Sequence, residues 1–82
     1  MTEQNHQNLY QTKDSESAVI LYSMKVVLNS TFWDKGSCYF VFQNRNLCEK
    51  VLSDYLNDKI VISAKLLMDS YKTIKSVIRG SN

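Results

Sequence analysis

The stretch Lys25–Gln43 has the two-residue alternation and the β-branched and aromatic content that are typical of β-strands. The residues Asp34-Lys35-Gly36 divide it, and a glycine that can adopt a positive φ suits a short hairpin turn. We therefore predict a β-hairpin with strands Lys25–Trp33 and Ser37–Gln43.

The alternation assigns each hairpin residue to one of two faces, because successive side chains of a strand point to opposite sides. One face of the return strand carries Cys38, Phe40 and Phe42, and the other carries Tyr39 and Val41. On the first strand, Val26, Leu28, Ser30 and Phe32 share a face, and Val27, Asn29, Thr31 and Trp33 share the other. We expect Phe40, Phe42 and Leu28 to face the core, which leaves Trp33, Tyr39 and Val41 on the outer face.

Three segments have helical spacing instead. Asp14 is a candidate N-cap for a helix over Ser15–Met24, whose apolar residues extend around more than one side and predict burial on several sides. A capping box at Asn46 and Glu49 precedes a second helix, Leu47–Leu56.

The last helix is predicted over Ala64–Arg79, with Ser63 as its N-cap. Its expected core-facing side is formed by Ala64, Leu67, Met68, Tyr71, Ile74 and Ile78.

The order of elements predicts a small α+β fold. Leu9–Thr12 suits a short edge strand, so the sequence reads β-α-β-β-α-α, with a small antiparallel sheet centred on the hairpin and about three helices packed on one face. Residues 9–80 are expected to form a single domain, and residues 1–8 a flexible polar arm.

Composition narrows the class of protein without naming a function. The chain has 82 residues, 44% of them hydrophobic, no proline and a formal net charge of +2, which favours one packed domain over a disordered or strongly basic chain. Met1–Lys13 has no apolar stretch like that of a secretory signal, and no apolar run suits a membrane span. We expect a cytoplasmic protein without membrane contact, with Cys38 and Cys48 reduced.

The sequence offers no pattern typical of an enzyme. His6, the single histidine, lies in the polar arm, where nothing orients it as a base. The chain lacks a glycine-rich phosphate loop and a His/Asp/Glu cluster with metal-ligand spacing. We therefore expect a non-enzymatic protein with no cofactor and no metal.

Two surfaces are candidates for binding. The first is the outer hairpin face, where Trp33, Tyr39 and Val41 lie with Lys35 at the turn, a combination that suits a protein partner or a homodimer. Base stacking on a nucleic acid is an alternative use of the same aromatics. A third alternative is that a helix or the N-terminal segment covers this face.

The second surface is a basic stripe on the last helix, formed by Lys65, Lys72, Lys75 and Arg79. These residues fall within about 80° of one another at 100° per residue. Such a stripe can follow phosphates, so a nucleic-acid-binding module is the alternative function. It can equally be a solvated helix face whose lysine stems shield Met68 and Tyr71.

Several short stretches resemble a family of uncharacterised small proteins from archaea, bacteria and their mobile elements. They are Tyr10-Gln11-Thr12-Lys13-Asp14, Ala18, Tyr39-Phe40-Val41-Phe42, Cys48-Glu49, and Ser63-Ala64-Lys65 through Lys75. Ser23-Met24 departs from the family pattern, which has a glycine after the first helix. The resemblance implies no activity, but it favours a viral or mobile-element origin. The leading hypothesis is a small binding protein that uses the outer hairpin face.

Overall fold

The structure, a computed structural model, describes residues 8–80, which form a small α+β fold of three strands and three helices. The elements are β1 (Leu9–Thr12), α1 (Ser15–Ser23), β2 (Leu28–Asp34), β3 (Ser37–Gln43), α2 (Arg45–Leu56) and α3 (Ala64–Gly80). The sheet is antiparallel, with β3 between β1 and β2. The predicted fold class and element order are confirmed, whereas residues 1–7, which contain His6, lie outside the described residues.

The core lies between one face of the sheet and the helices. Phe40 and Phe42 have no solvent exposure and join a single cluster with buried residues of all three helices. Leu28 is partly buried against the same cluster. The expectation that these three side chains face inward is confirmed.

α1 is buried on several sides, as its apolar surround predicts. Its four central residues, Ala18 to Leu21, are at most 7% exposed, and the helix packs against both α2 and α3. Asp14 is the N-cap: its carboxylate accepts hydrogen bonds from the Ser17 backbone N–H and hydroxyl.

The chain leaves α1 through Lys25, which has a φ of +70°. The residue that adopts this left-handed conformation just past a helix end is usually glycine, but here it is Lys25. The amides of Lys25 and Val26 donate to carbonyls of the last α1 turn, namely those of Tyr22 and Leu21. These residues therefore belong to the helix end, and β2 begins at Leu28 rather than at Lys25.

α2 begins at Arg45, two residues earlier than the sequence pattern predicts. Its N-cap is Asn44, whose side chain accepts from the Leu47 amide at 3.1 Å, so the expected cap at Asn46 is wrong. Asn44 has a φ of +66°, a conformation that asparagine tolerates better than most residues. Arg45 then ties the start of α2 to β1, since its amide donates to the Asn8 carbonyl and its guanidinium to the Leu9 carbonyl.

α3 is rotated relative to the orientation that its apolar spacing predicts. Ser70 and Ile74 are its buried residues, whereas Met68 and Tyr71 are 51% and 47% exposed. The expectation that Met68 and Tyr71 face the core is therefore wrong. Leu67, Ile74 and Ile78 belong to both possible stripes, and the polar residue at position 70 obscured the correct one.

A β-bulge changes the register inside β2. Leu28 pairs with Phe42 and Ser30 pairs with Val41, so Asn29 has no partner in the register. An extra residue in one strand reverses the face of every side chain beyond it. This bulge decides where the aromatic residues of the hairpin point.

Candidate interaction surface

The outer face of the sheet carries an exposed aromatic pair. Beyond the bulge, Phe32 lies opposite Tyr39, and directly opposed residues of an antiparallel pair share a face. Their rings stack with centroids 5.0 Å apart and planes 4° from parallel. Phe32 is 41% exposed and Tyr39 is partly buried. The pair therefore presents a partly exposed apolar surface to solvent.

Trp33 lies on the opposite face from this pair. It is paired with Cys38, which belongs to the core-facing set of β3, so the expectation that Trp33 shares the outer face with Tyr39 is wrong. Trp33 remains 46% exposed. The cause is the bulge at Asn29, which exchanges the faces of Phe32 and Trp33. Phe32 is the surface residue that the sequence pattern assigned to the interior.

Val41 and Lys35, the other two residues expected on this surface, differ in exposure. Val41 lies in the middle of the sheet between Gln11 and Ser30, and only 8% of it is exposed, so it contributes little surface. Lys35 is exposed in the two-residue turn, where Lys35 and Gly36 have φ of +52° and +83°. Positive φ at both central positions is the type I′ hairpin turn.

The outer face of the sheet as a whole is uncharged except at the hairpin end. The register assigns to this face Leu9, Gln11, Ser30, Phe32, Asp34, Ser37, Tyr39, Val41 and Gln43. Apart from Val41, these residues are partly or fully exposed, while the buried residues of all three helices join the core on the other side. The outer face is therefore an accessible and nearly neutral surface.

The basic stripe points away from the core. At 100° per residue, the buried positions of α3 centre on the side opposite Lys65, Lys72 and Arg79. The Lys65 ammonium pairs with the Asp69 carboxylate at 3.1 Å, and the Lys75 ammonium lies 5.8 Å from the centre of the Tyr71 ring. Met68 falls in the middle of this stripe. The four cations share one solvent-facing side of α3, separate from the outer face of the sheet.

The surroundings of Cys38, Cys48 and Tyr55 raise the pKa of each side chain. Cys38 and Cys48 are free and buried, and burial raises the pKa of both thiols, with the Glu49 carboxylate adding to the shift at Cys48. A raised pKa suppresses the reactive thiolate. The Tyr55 hydroxyl donates a hydrogen bond to the Glu16 carboxylate, and this bond raises the pKa of Tyr55.

Residues 8–80 contain no cluster of histidine, cysteine, aspartate and glutamate side chains that could hold a metal ion. Across the same part of the chain, none of the helices has the length and apolar character needed to cross a bilayer. The surface features that remain are the Phe32–Tyr39 pair and the cationic side of α3.

Comparison of the chain with protein-family models, with curated proteins and with solved structures found no match. The family resemblance therefore stays a prediction, and the function must be argued from the geometry of these two surfaces.

Proposed function

We propose that this chain is a small non-enzymatic binding protein that contacts another protein through the outer face of its sheet, with a second copy of the chain as the first candidate partner. The observation that carries this proposal is the stacked Phe32–Tyr39 pair, with Phe32 exposed and Tyr39 partly exposed, on a nearly neutral sheet face. Aromatic residues are enriched at the centres of protein interfaces, and charged residues are depleted there.

The charge of the outer face favours protein over nucleic acid as its partner. Binding to a phosphate backbone needs clustered cations, and on this face Lys35 is present only at the turn beside Asp34. The aromatic platform expected from Trp33 and Tyr39 together is also divided, because the two residues lie on opposite faces. A nucleic-acid function would have to use the cationic side of α3 without these aromatics.

Self-association is the first form to test, because a two-fold interface brings the same patch of each copy together. A nearly neutral patch can meet the same patch of a second copy without like-charge repulsion, and an aromatic pair can pack against its own copy. Asp34, the charged residue of this face, lies at the hairpin end rather than at the centre.

The experiment is sedimentation velocity over a range of concentrations, comparing the wild type with Phe32→Ser and Trp33→Ser. The two side chains are adjacent, aromatic and similarly exposed at 41% and 46%, but they occupy opposite faces. We expect the wild type and Trp33→Ser to dimerise, and Phe32→Ser to raise the dissociation constant about tenfold or more. Circular dichroism checks that each variant is folded.

A wild-type chain that stays monomeric at every concentration would exclude the proposal that the outer face binds a second copy of the chain. The form with a different protein is then tested by capture from the native host with the same variants. A specific partner should bind the wild type and Trp33→Ser but not Phe32→Ser. Equal loss with both variants would contradict the assignment of the outer face.

A further inference from the structure

A second surface combines apolar side chains with uncompensated positive charge. Met68 and Tyr71 are about half exposed on α3, although both are large and apolar for most of their surface. On the helical wheel, Met68 lies between Arg79 and Lys75. Met68 is therefore inside the basic stripe, and Tyr71 lies beside it, next to Lys75.

A groove of about 380 Å³ lies next to this surface, between α3, the first half of α1 and the end of α2. Apolar side chains form most of its wall: Val19, Ile20, Tyr55, Leu67, Met68 and Tyr71. Its volume is within the range of sites that accept an organic group. The groove is therefore large enough to receive one or two apolar side chains of a partner.

The charges around the groove are unequally compensated. Asp69 pairs with Lys65, whereas Glu16, at one end of the groove, accepts a hydrogen bond from the neutral Tyr55 hydroxyl and so keeps its negative charge. Within residues 8–80, no acidic side chain forms an ion pair with Lys72, Lys75 or Arg79. The rim on the α3 side therefore has free positive charge that a partner could match.

We infer that this groove and the neighbouring cations bind an acidic amphipathic helix of another protein. Apolar side chains of that helix would enter the groove beside Met68 and Tyr71, and its aspartate or glutamate residues would meet Lys72 and Lys75. Helices bind grooves in this way through apolar residues spaced three or four apart. Methionine at such a surface adapts to different partners.

A nucleic acid fits the same surface less well. A phosphate backbone gains nothing from an apolar groove or from a methionine in the middle of the cation stripe. Stacking of a base would compete with Lys75, whose ammonium already lies over the Tyr71 ring. Charge complementarity with apolar anchoring therefore favours an acidic helix.

The test selects binders from a phage-displayed library of randomised helical peptides, using the immobilised full chain. We expect the enriched peptides to combine acidic residues with apolar residues spaced three or four apart. The strongest of them is then synthesised with a fluorescent label, and its affinity is measured by anisotropy.

Matched variants separate this site from general charge. We expect the double change Lys72→Glu and Lys75→Glu to lower the affinity for the peptide at least about tenfold. Lys13→Glu with Lys59→Glu makes the same change in net charge elsewhere and should leave affinity within about threefold. Met68→Gln should weaken binding without altering charge. Trp33→Ser should have no effect, because Trp33 lies neither on the outer face of the sheet nor in the lining of the groove.

Three results would overturn the inference. One is a selection that yields no peptides above background, or peptides without acidic residues. Another is an equal loss of affinity in the two charge-reversal variants. The third is tighter binding of a labelled oligonucleotide than of the selected peptide, abolished by the Lys72 and Lys75 changes, which would make this a nucleic-acid surface instead.

Discussion

Truncation of Ile74 should be far more destabilising than truncation of Met68, six residues earlier on the same helix. Ile74 has no solvent exposure and joins the core, while Met68 is 51% exposed. Replacing a fully buried isoleucine with alanine costs about 2–5 kcal/mol. A chain of this size is stable by roughly 4–12 kcal/mol, so Ile74→Ala should remove a large share of that stability.

Met68→Ala should change the free energy of unfolding by no more than about 0.5 kcal/mol, because it creates no cavity and alanine favours helix. Urea denaturation followed by circular dichroism measures both variants. With a slope near 1 kcal/mol per molar urea, Ile74→Ala should lower the midpoint by about 2 M or more. Ile74→Val, at about 0.5–1.5 kcal/mol, keeps the test informative if the alanine variant does not fold.

Equal losses in the free energy of unfolding for Ile74→Ala and Met68→Ala would refute the orientation of α3 that buries Ile74 and exposes Met68. The same result would also remove the exposed surface on which the inferred helix-binding site rests. A loss at Met68 larger than at Ile74 would restore the orientation that the apolar spacing favours.

Three further outcomes follow from local contacts. Asn44→Ala should lower stability by about 1–2 kcal/mol in urea denaturation, because it removes the α2 cap and places alanine at a positive φ, and an unchanged midpoint would contradict this. Because the pKa of Tyr55 is raised in the folded state, the stability that its hydrogen bond contributes is complete below about pH 10. This stability is lost as the pH rises through the folded-state pKa. At pH 7, Tyr55→Phe should therefore melt at a lower temperature than the wild type, but its melting temperature should fall less between pH 9 and 11. Parallel curves of melting temperature against pH would exclude the bond to Glu16 as the cause. Cys38 and Cys48 should react with a thiol reagent much more slowly in the folded chain than in urea, and equal rates would contradict their burial.

The order of elements was predictable because the helices and the hairpin rest on interactions close in sequence. Asp14 caps α1, and Gly36 provides one of the two positive φ angles that the hairpin turn requires. Phe40 and Phe42 were correctly assigned to the core, since two large aromatics on one face of a strand form the strongest apolar signal in the chain.

The candidate sites were predictable only in part. Tyr39 and the cations of α3 were identified from the sequence and lie on exposed or partly exposed surfaces. Phe32 was missed, and so was the groove beside Met68. The groove is formed by three helices that are distant in sequence, and residue spacing on one helix cannot reveal it.

The sequence by itself determined which segments become strands and helices, because propensity, capping and alternation act within a few residues. Tertiary structure alone decided which way two of those segments face. The bulge at Asn29 depends on pairing β2 with β3, and it moves Phe32 rather than Trp33 to the outer face. The rotation of α3 depends on its packing against α1, which buries Ser70 and exposes Met68. Both surfaces proposed for binding result from these two features, the bulge in β2 and the orientation of α3, and each depends on contacts between residues distant in sequence.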